Sequence, residues 1–252
     1  MEKSMIAFDR FSSFNYSLYD YKVLGSKTYV VRSLHKEDLP LLTKRIAYTR
    51  VLTHPQISII KDVSLERLEG FFFDRFSAIV SQDLSICIEE PENHRIIAAL
   101  FVKDCAVPAD FDKTKWPEFQ PILDADELVK EKFPKIFHPK ICGLSANLVC
   151  FWTDPEFKDT SVPMTIATAL LMHPKILTYT YVATIFTNPI METITKMIPN
   201  SKIIEKIHFK DLKDSEGNYL YRDLMPKFEA KGFDQNSLRF SVFLMSNITP
   251  KL

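Results

Sequence analysis

Apolar residues change their spacing along this chain in an ordered way, and each change predicts an element. "TYVVRSL" (28–34) is a short run of β-branched and aromatic residues, which predicts a strand. "HKEDLPLLTKRIAYTRVL" (35–52) follows with acidic residues in its first turn, where they oppose the positive end of a helix. "SLERLEGFFFDRFSAIVS" (64–81) repeats apolar positions at helical spacing. After it, "LSICIEE" and "RIIAALFVKD" predict two strands joined by a polar turn from Pro91 to His94. "SANLVCFWT" (145–153) is almost unbroken apolar sequence, the pattern of a strand covered on both faces, and it marks the centre of the fold. "VPMTIATALLMHP" (162–174) predicts a helix, "YTYVATIFT" (179–187) a second buried strand, and "NPIMETITKMI" (188–198) a helix with Pro189 in its first turn. "KIIEKIHFKDL" (202–212) and, beyond a turn at "DSEGN", "NSLRFSVFLMSN" (236–247) complete the set. The alternation of the last predicts a half-exposed strand.

Residues 105–140 interrupt this rhythm with five prolines and a single helical stretch, "DADELVKEKF", which predicts an insertion over one edge of the sheet. The order is therefore β α α β β, insertion, β α β α β β, with no internal repeat. No Gly/Ser-rich or charge-block linker divides the chain, so residues 28–252 are expected to form one α/β domain of the α+β kind. Residues 1–27 form an N-terminal extension, "MEKSMIAFDRFSSFNYSLYDYKVLG" and two further residues, aromatic throughout and without a strong period. Such a segment is expected to pack on a surface, either its own body or a neighbouring protein in a larger complex.

Charge then narrows the partners. The chain holds 32 basic and 32 acidic residues and no clustered Lys/Arg stripe, so nucleic acid is not an expected partner. Cys87, Cys105, Cys142 and Cys150 lack CxxC spacing and lie mostly in apolar runs, as small buried hydrophobes of a reducing compartment do. No run approaches a membrane span, and an intracellular location is expected: cytoplasmic by default, with an organellar or cytoskeletal assembly as the other settings. His138, His173 and His208 are scattered without HExxH or CxxC partners, so no metal site is expected. No GxSxG elbow or Walker-type phosphate loop occurs.

Several stretches, in order, resemble the GNAT acyl-CoA N-acyltransferase superfamily, and within it the arylalkylamine or dopamine N-acetyltransferase-like branch. They are "YVVRSLHKEDL", "LSICIEEPENHRIIAALFVKD", "DPEFKDTSVPMTIATALL", and "TNPIMETI" followed by "IHFKDLKDSEGNYLY". The resemblance spans residues 28–247. It implies a mixed, mostly antiparallel sheet of about seven strands flanked by helices, and acetyl-CoA as the cofactor of an active member.

The resemblance also implies site residues. In the superfamily the turn after the central strand carries Arg or Gln, two variable residues, Gly, one variable residue, then Gly or Ala, and its N–H groups hold the cofactor pyrophosphate at a helix N-terminus. Here those positions are Lys158, Asp159, Thr160, Ser161, Val162 and Pro163. Lys158 keeps the positive charge. Asp159 sets a carboxylate beside the phosphates, Ser161 adds a Cβ, and Pro163 removes a donor. The same residues also read as a plain helix start, with Asp159 to Ser161 offering capping side chains and Pro163 in the first turn. The implied cofactor set is Leu148, Val149 and Cys150 for the pantetheine arm, Lys158, Ser161, Val162 and Met164 for the pyrophosphate, and Asn188 beyond the next strand.

For proton transfer, Thr195 stands where many members place a tyrosine acid, and a threonine hydroxyl does not release a proton near neutrality. His54, in "LTHPQ", stands where the branch carries an acidic base. Tyr179 and Tyr181 lie on a buried strand and read as packing residues. Two readings follow: a GNAT-like chain that has lost catalysis and cofactor and acts as a structural or interaction component of a protein assembly, or an active acetyl-CoA-dependent N-acetyltransferase of a small arylalkylamine.

Overall fold

A computed structural model describes residues 18–22, 28–58, 60, 63–108, 111–138, 140–157, 161–187, 189–198, 200–213, 216–230 and 237–245. The strands are β1 (Leu18–Lys22), β2 (Thr28–Ser33), β3 (Ile86–Glu90), β4 (Arg95–Asp104), β5 (Ser145–Thr153), β6 (Tyr181–Phe186), β7 (Ser201–His208) and β8 (Ser237–Leu244). The helices are α1 (Leu39–Thr53), α2 (Pro55–Ser58), α3 (Leu65–Val80), α4 (Gln120–Lys132), α5 (Val162–Leu171), α6 (Pro189–Met197) and α7 (Met225–Ala230). All eight strands join one sheet in the order β1-β2-β3-β4-β5-β6-β8-β7. Only β5 and β6 run parallel.

The sheet expected to hold about seven strands therefore carries an eighth. β1 lies inside the stretch assigned to the N-terminal extension and pairs with β2 from Leu18↔Arg32 to Lys22↔Thr28. A second difference concerns β8, expected to be half-exposed. It sits between β6 and β7, and Arg239 to Val242 are all buried. The half-exposed strand is β7, whose inner and outer residues alternate along the sheet edge.

Alternation sorts the two faces. Ile86 and Ile88 of β3 face one core with α5 and α6, while Cys87 between them faces the other with α1 and α3. α1 buries Leu39, Leu42, Ile46 and Ala47, the spacing of one helical face. α3 starts with Ser64 as N-cap, its hydroxyl accepting the Arg67 N–H, and buries Phe71, Phe72 and Phe76. Several of the described phenylalanines build the core: Phe76 stacks on Phe101 at 3.8 Å between ring centroids and Phe71 on Phe119 at 4.1 Å.

The insertion lies over the β6-β8-β7 end of the sheet, where Lys132 of α4 pairs with Glu205 of the edge strand β7, and it also reaches α3. Trp116, Phe119, Ile122 and Leu123 pack against α3, and Ala125 and Val129 of α4 join a third core with Phe240 and Val242 of β8. α4 also starts earlier than the sequence indicates, with Pro121 in its first turn, where a missing N–H costs nothing.

Gly70, in the middle of α3, tests this contact. A Cβ there would come within 2.9 Å of Trp116 Cη2. The indole is held by the Arg67 guanidinium at 4.1 Å and by the Phe71 ring, so it has little room to shift. Alanine gains about 1 kcal/mol of helix propensity over glycine, yet Gly70→Ala is expected to lose about 1–2 kcal/mol net through overpacking. Urea unfolding of the variant measures the sign directly; a raised midpoint would contradict the contact.

Cys87 and Cys150 are buried, as expected, but Cys105 is half-buried and Cys142 is exposed, because Cys142 falls in the loop before β5 and not in a strand. All four thiols are free. Burial pushes the Cys105 thiol up to about 12. Among the described residues no helix is long and apolar enough to cross a membrane, and no group of three or more His, Cys, Asp or Glu side chains is placed to hold a metal.

Candidate functional site

The site forms where β5 and β6 part. Their parallel pairing runs from Ser145↔Tyr181 to Leu148↔Thr184 and stops there, although β5 continues to Thr153. On its other side β5 is bulged against β4: Phe101 pairs with Cys150 and Val102 with Leu148, so Val149 is the extra residue. A bulge bends its strand, and this one lies just where the pairing of β5 with β6 ends. The opening is a cavity of about 70 Å³ lined by Leu148 to Phe151 on β5, Thr184 to Thr187 at the end of β6, Met191 of α6, and Arg50 and His54 from the end of α1.

Three contacts fill the opening from within. Arg50 Nη2 donates to the Phe151 carbonyl at 2.6 Å and lies 3.5 Å from Cys150 Sγ. Thr184 Oγ1 donates to the Leu148 carbonyl at 3.1 Å. Thr187 Oγ1 lies 3.4 Å from His54 Nε2. His54 ends α1 as its C-cap, its N–H donating to the Arg50 carbonyl, and its Nδ1 is buried without a partner among the described residues. Burial first, then the cations of Arg50 and Arg75, hold the imidazole well below its ordinary pKa, so it is neutral at pH 7.

The structure thus gathers four of the residues singled out from sequence, His54, Leu148, Val149 and Cys150, around one cleft. It does not bring Thr195 there. That side chain is buried in α6 with its hydroxyl unpartnered among the described residues, while its carbonyl accepts from the Ser201 hydroxyl. Ser161, Val162 and Met164 lie at the start of α5 and do not line the cavity. Lys158 and Asn188, with Asp159 and Thr160, fall outside the described residues.

One expectation at this helix start is corrected. Ser161 occupies the N-cap position with helical dihedrals (φ −74°, ψ −11°) and its side chain makes no capping bond. A capping hydroxyl reaches back to the first-turn N–H groups only from an extended backbone. The Ser161 carbonyl takes the N–H and the hydroxyl of Thr165 instead, and Pro163 stands in the first turn as expected.

Tyr179 and Tyr181 are packing residues. The Tyr179 hydroxyl donates to Asp104 Oδ2 at 3.2 Å, and burial, with that carboxylate next, raises its pKa above the ordinary phenol value, the wrong direction for an acid. Sequence reasoning missed Arg50, Thr184 and Thr187. Arg50 carried a signal: it precedes His54 by four residues and therefore shares its face at the end of α1.

The mixed sheet with its splayed parallel pair, a bulged central strand and helices on both faces is the GNAT fold, the fold of acyl-CoA N-acyltransferases. At the level of sequence, neither a protein-family model nor a curated protein matches the chain. Solved structures do match. A putative arylalkylamine N-acetyltransferase 7 from the yellow fever mosquito Aedes aegypti superposes with a TM-score of 0.68 at 14% identity, covering 96% of this chain and 98% of that one. The C-terminal condensation domain of Ebony, in complex with beta-alanyl-dopamine, gives 0.67 at 12% identity, covering 87% of this chain and all of the other. A polyamine N-acetyltransferase of Drosophila melanogaster, which forms N-acetylagmatine, gives 0.58 at 13% identity, covering 86% and 99%. The likeness is one of fold.

Proposed function

We propose that this chain is a GNAT-fold protein that has lost acetyl transfer and serves as a structural or interaction component of a protein assembly. The observation that carries this reading is Arg50. Its guanidinium engages the Phe151 carbonyl on the stretch of β5 where the fold's resemblance implies main-chain pairing with a pantetheine arm. The Leu148 carbonyl is engaged as well, by Thr184, and the space that remains holds a few waters (roughly 30 Å³ each), not a pantetheine arm. These contacts support the reading that acetyl-CoA does not enter the cleft as its side chains stand. Thr195, buried and away from the cleft, supports the same reading. So does His54: as a general base it would end as an imidazolium beside Arg50 and Arg75.

A second reading, an active acetyl-CoA-dependent N-acetyltransferase of a small arylalkylamine, has one observation in its favour: His54 and the bulged strand Leu148–Cys150 share one cleft. The amine acetyltransferases among its structural neighbours accord with it. A thermal-shift titration with acetyl-CoA separates the two. A ligand at 100 times its Kd stabilises by about 2.7 kcal/mol, which for a chain of this size raises Tm by roughly 5–10 °C. The expected result is no shift at about 1 mM acetyl-CoA, far above a micromolar Kd. A saturable rise would overturn the degenerate reading.

A further inference from the structure

Among the described arginines, Arg50 and the exposed Arg222 meet no carboxylate, and of these two Arg50 lines the cleft. Arg32, Arg45, Arg67, Arg75, Arg95 and Arg239 each meet a carboxylate of the protein. Arg50, half-buried at the cleft, meets none among the described residues; its partners are one carbonyl and one sulfur, both through Nη2. Nε and Nη1 meet no described residue. A half-buried guanidinium with no counter-charge and with N–H groups open to solvent can still take an anion in a charge-assisted pair. His54 in the same cleft supplies no counter-charge, since burial first, and then Arg50 and Arg75, hold its imidazole below its ordinary pKa. A cleft of one sign with low-dielectric walls concentrates ions of the other sign.

We propose that the cleft between β5 and β6 binds a small free carboxylate of the size of acetate or propionate, its carboxylate on the Arg50 guanidinium and its alkyl end against Leu148, Phe186 and Met191. The planar guanidinium matches a carboxylate in two parallel N–H···O bonds. The cavity of about 70 Å³ sets the size, room for a ligand of a few heavy atoms and none for a peptide. Its lining is mixed, with Thr184, Thr187 and His54 beside Leu148, Phe186 and Met191, and suits a carboxylate with a short alkyl end better than inorganic phosphate, which is polar on every side. The inference rests on the reading that no pantetheine arm enters the cleft, and coenzyme A is titrated separately for that reason.

The test follows the His54 ring by NMR in protein labelled at histidine, with sodium acetate added against sodium chloride at equal ionic strength. Acetate is expected to move the His54 signals saturably and to shift its titration upward, since an anion beside it offsets Arg50 and Arg75. Propionate is expected to do the same, benzoate and phosphate to do neither. Arg50→Met is expected to weaken the response at least about tenfold, the loss of a charge-assisted pair, and Arg222→Met, at an exposed arginine beside Tyr219, to leave it unchanged. Three outcomes overturn the proposal: no saturable acetate response up to about 100 mM, where unspecific screening is common to both salts; a response to phosphate alone; or an equal response in Arg50→Met. Should that variant unfold, Arg50→Lys takes its place and is expected to bind several-fold more weakly, having a point charge in place of the planar fork. A coenzyme A response overturns the degenerate reading, whereas the absence of an acetate response overturns this one.

Discussion

Phe101→Ala is expected to lower the unfolding free energy by about 3–5 kcal/mol, the largest effect of any change considered. Phe101 is completely buried near the middle of β4, and its ring lies 3.8 Å from that of Phe76, with 14° between their planes. The size of the loss depends on how far the site collapses after truncation, and two constraints oppose collapse. Phe76 is fixed on α3, where it also stacks on Phe72, and the backbone of Phe101 is held in register with Cys150 beside the bulge. The cavity would therefore persist, adding its own term to the lost transfer free energy. Urea unfolding followed by circular dichroism gives the number, with an unchanged m-value expected because the surface exposed on unfolding is nearly the same. A loss below about 1 kcal/mol would mean that the two rings do not form a close-packed contact. Cys150 lines the cleft, so the same substitution is also expected to loosen the wall that carries the Arg50 contact.

Strand β5 could be read to the residue because, Asn147 apart, its nine positions carry apolar or small side chains, and burial on both faces leaves no other arrangement for such a run. β1 could not. "LYDYK" is short and partly charged, and it becomes a strand through pairing with β2, a tertiary partner that local propensity does not encode. α7, six residues with a proline second, is short enough to depend on packing through Phe228, which sits fully buried against Phe209 and Tyr221. The placement of β8 between β6 and β7 is a matter of connection, and alternation along β8 is silent about it. At the site the difference is similar. His54 was legible as the residue standing in an acid's place, whereas Arg50 is an arginine on a helix, a pattern that usually means a solvated face. What gives it meaning is the bulge at Val149, which brings the Phe151 carbonyl within its reach.

Between pH 7 and pH 5.5 the protein is expected to lose about 1–2 kcal/mol of stability, with His54 as a principal source. The sign follows from the direction of the shift. Folded His54 is held well below 6.5, so as pH falls below 6.5 the unfolded chain takes up a proton that the folded chain refuses. Stability is fully present above 6.5 and falls by up to about 1.4 kcal/mol per pH unit for each such group until the folded pKa is reached. His173, depressed mainly by burial, acts in the same direction. Asp38 and Glu89, both lowered in the folded state, lose their contribution only as pH drops below their unfolded values of 3.8 and 4.5, outside this window. Urea unfolding at the two pH values is expected to show the loss in the wild type and about half of it in His54→Asn, whose side chain does not titrate. Equal losses in both would place the pH dependence elsewhere and remove the desolvated state of His54 from the argument. The same desolvation bears on function: a base that accepts a proton from an ammonium must become charged in its own pocket, and this pocket already holds Arg50 with no carboxylate among the described residues to balance it. A cleft that penalises imidazolium so strongly is poorly suited to deprotonating an amine.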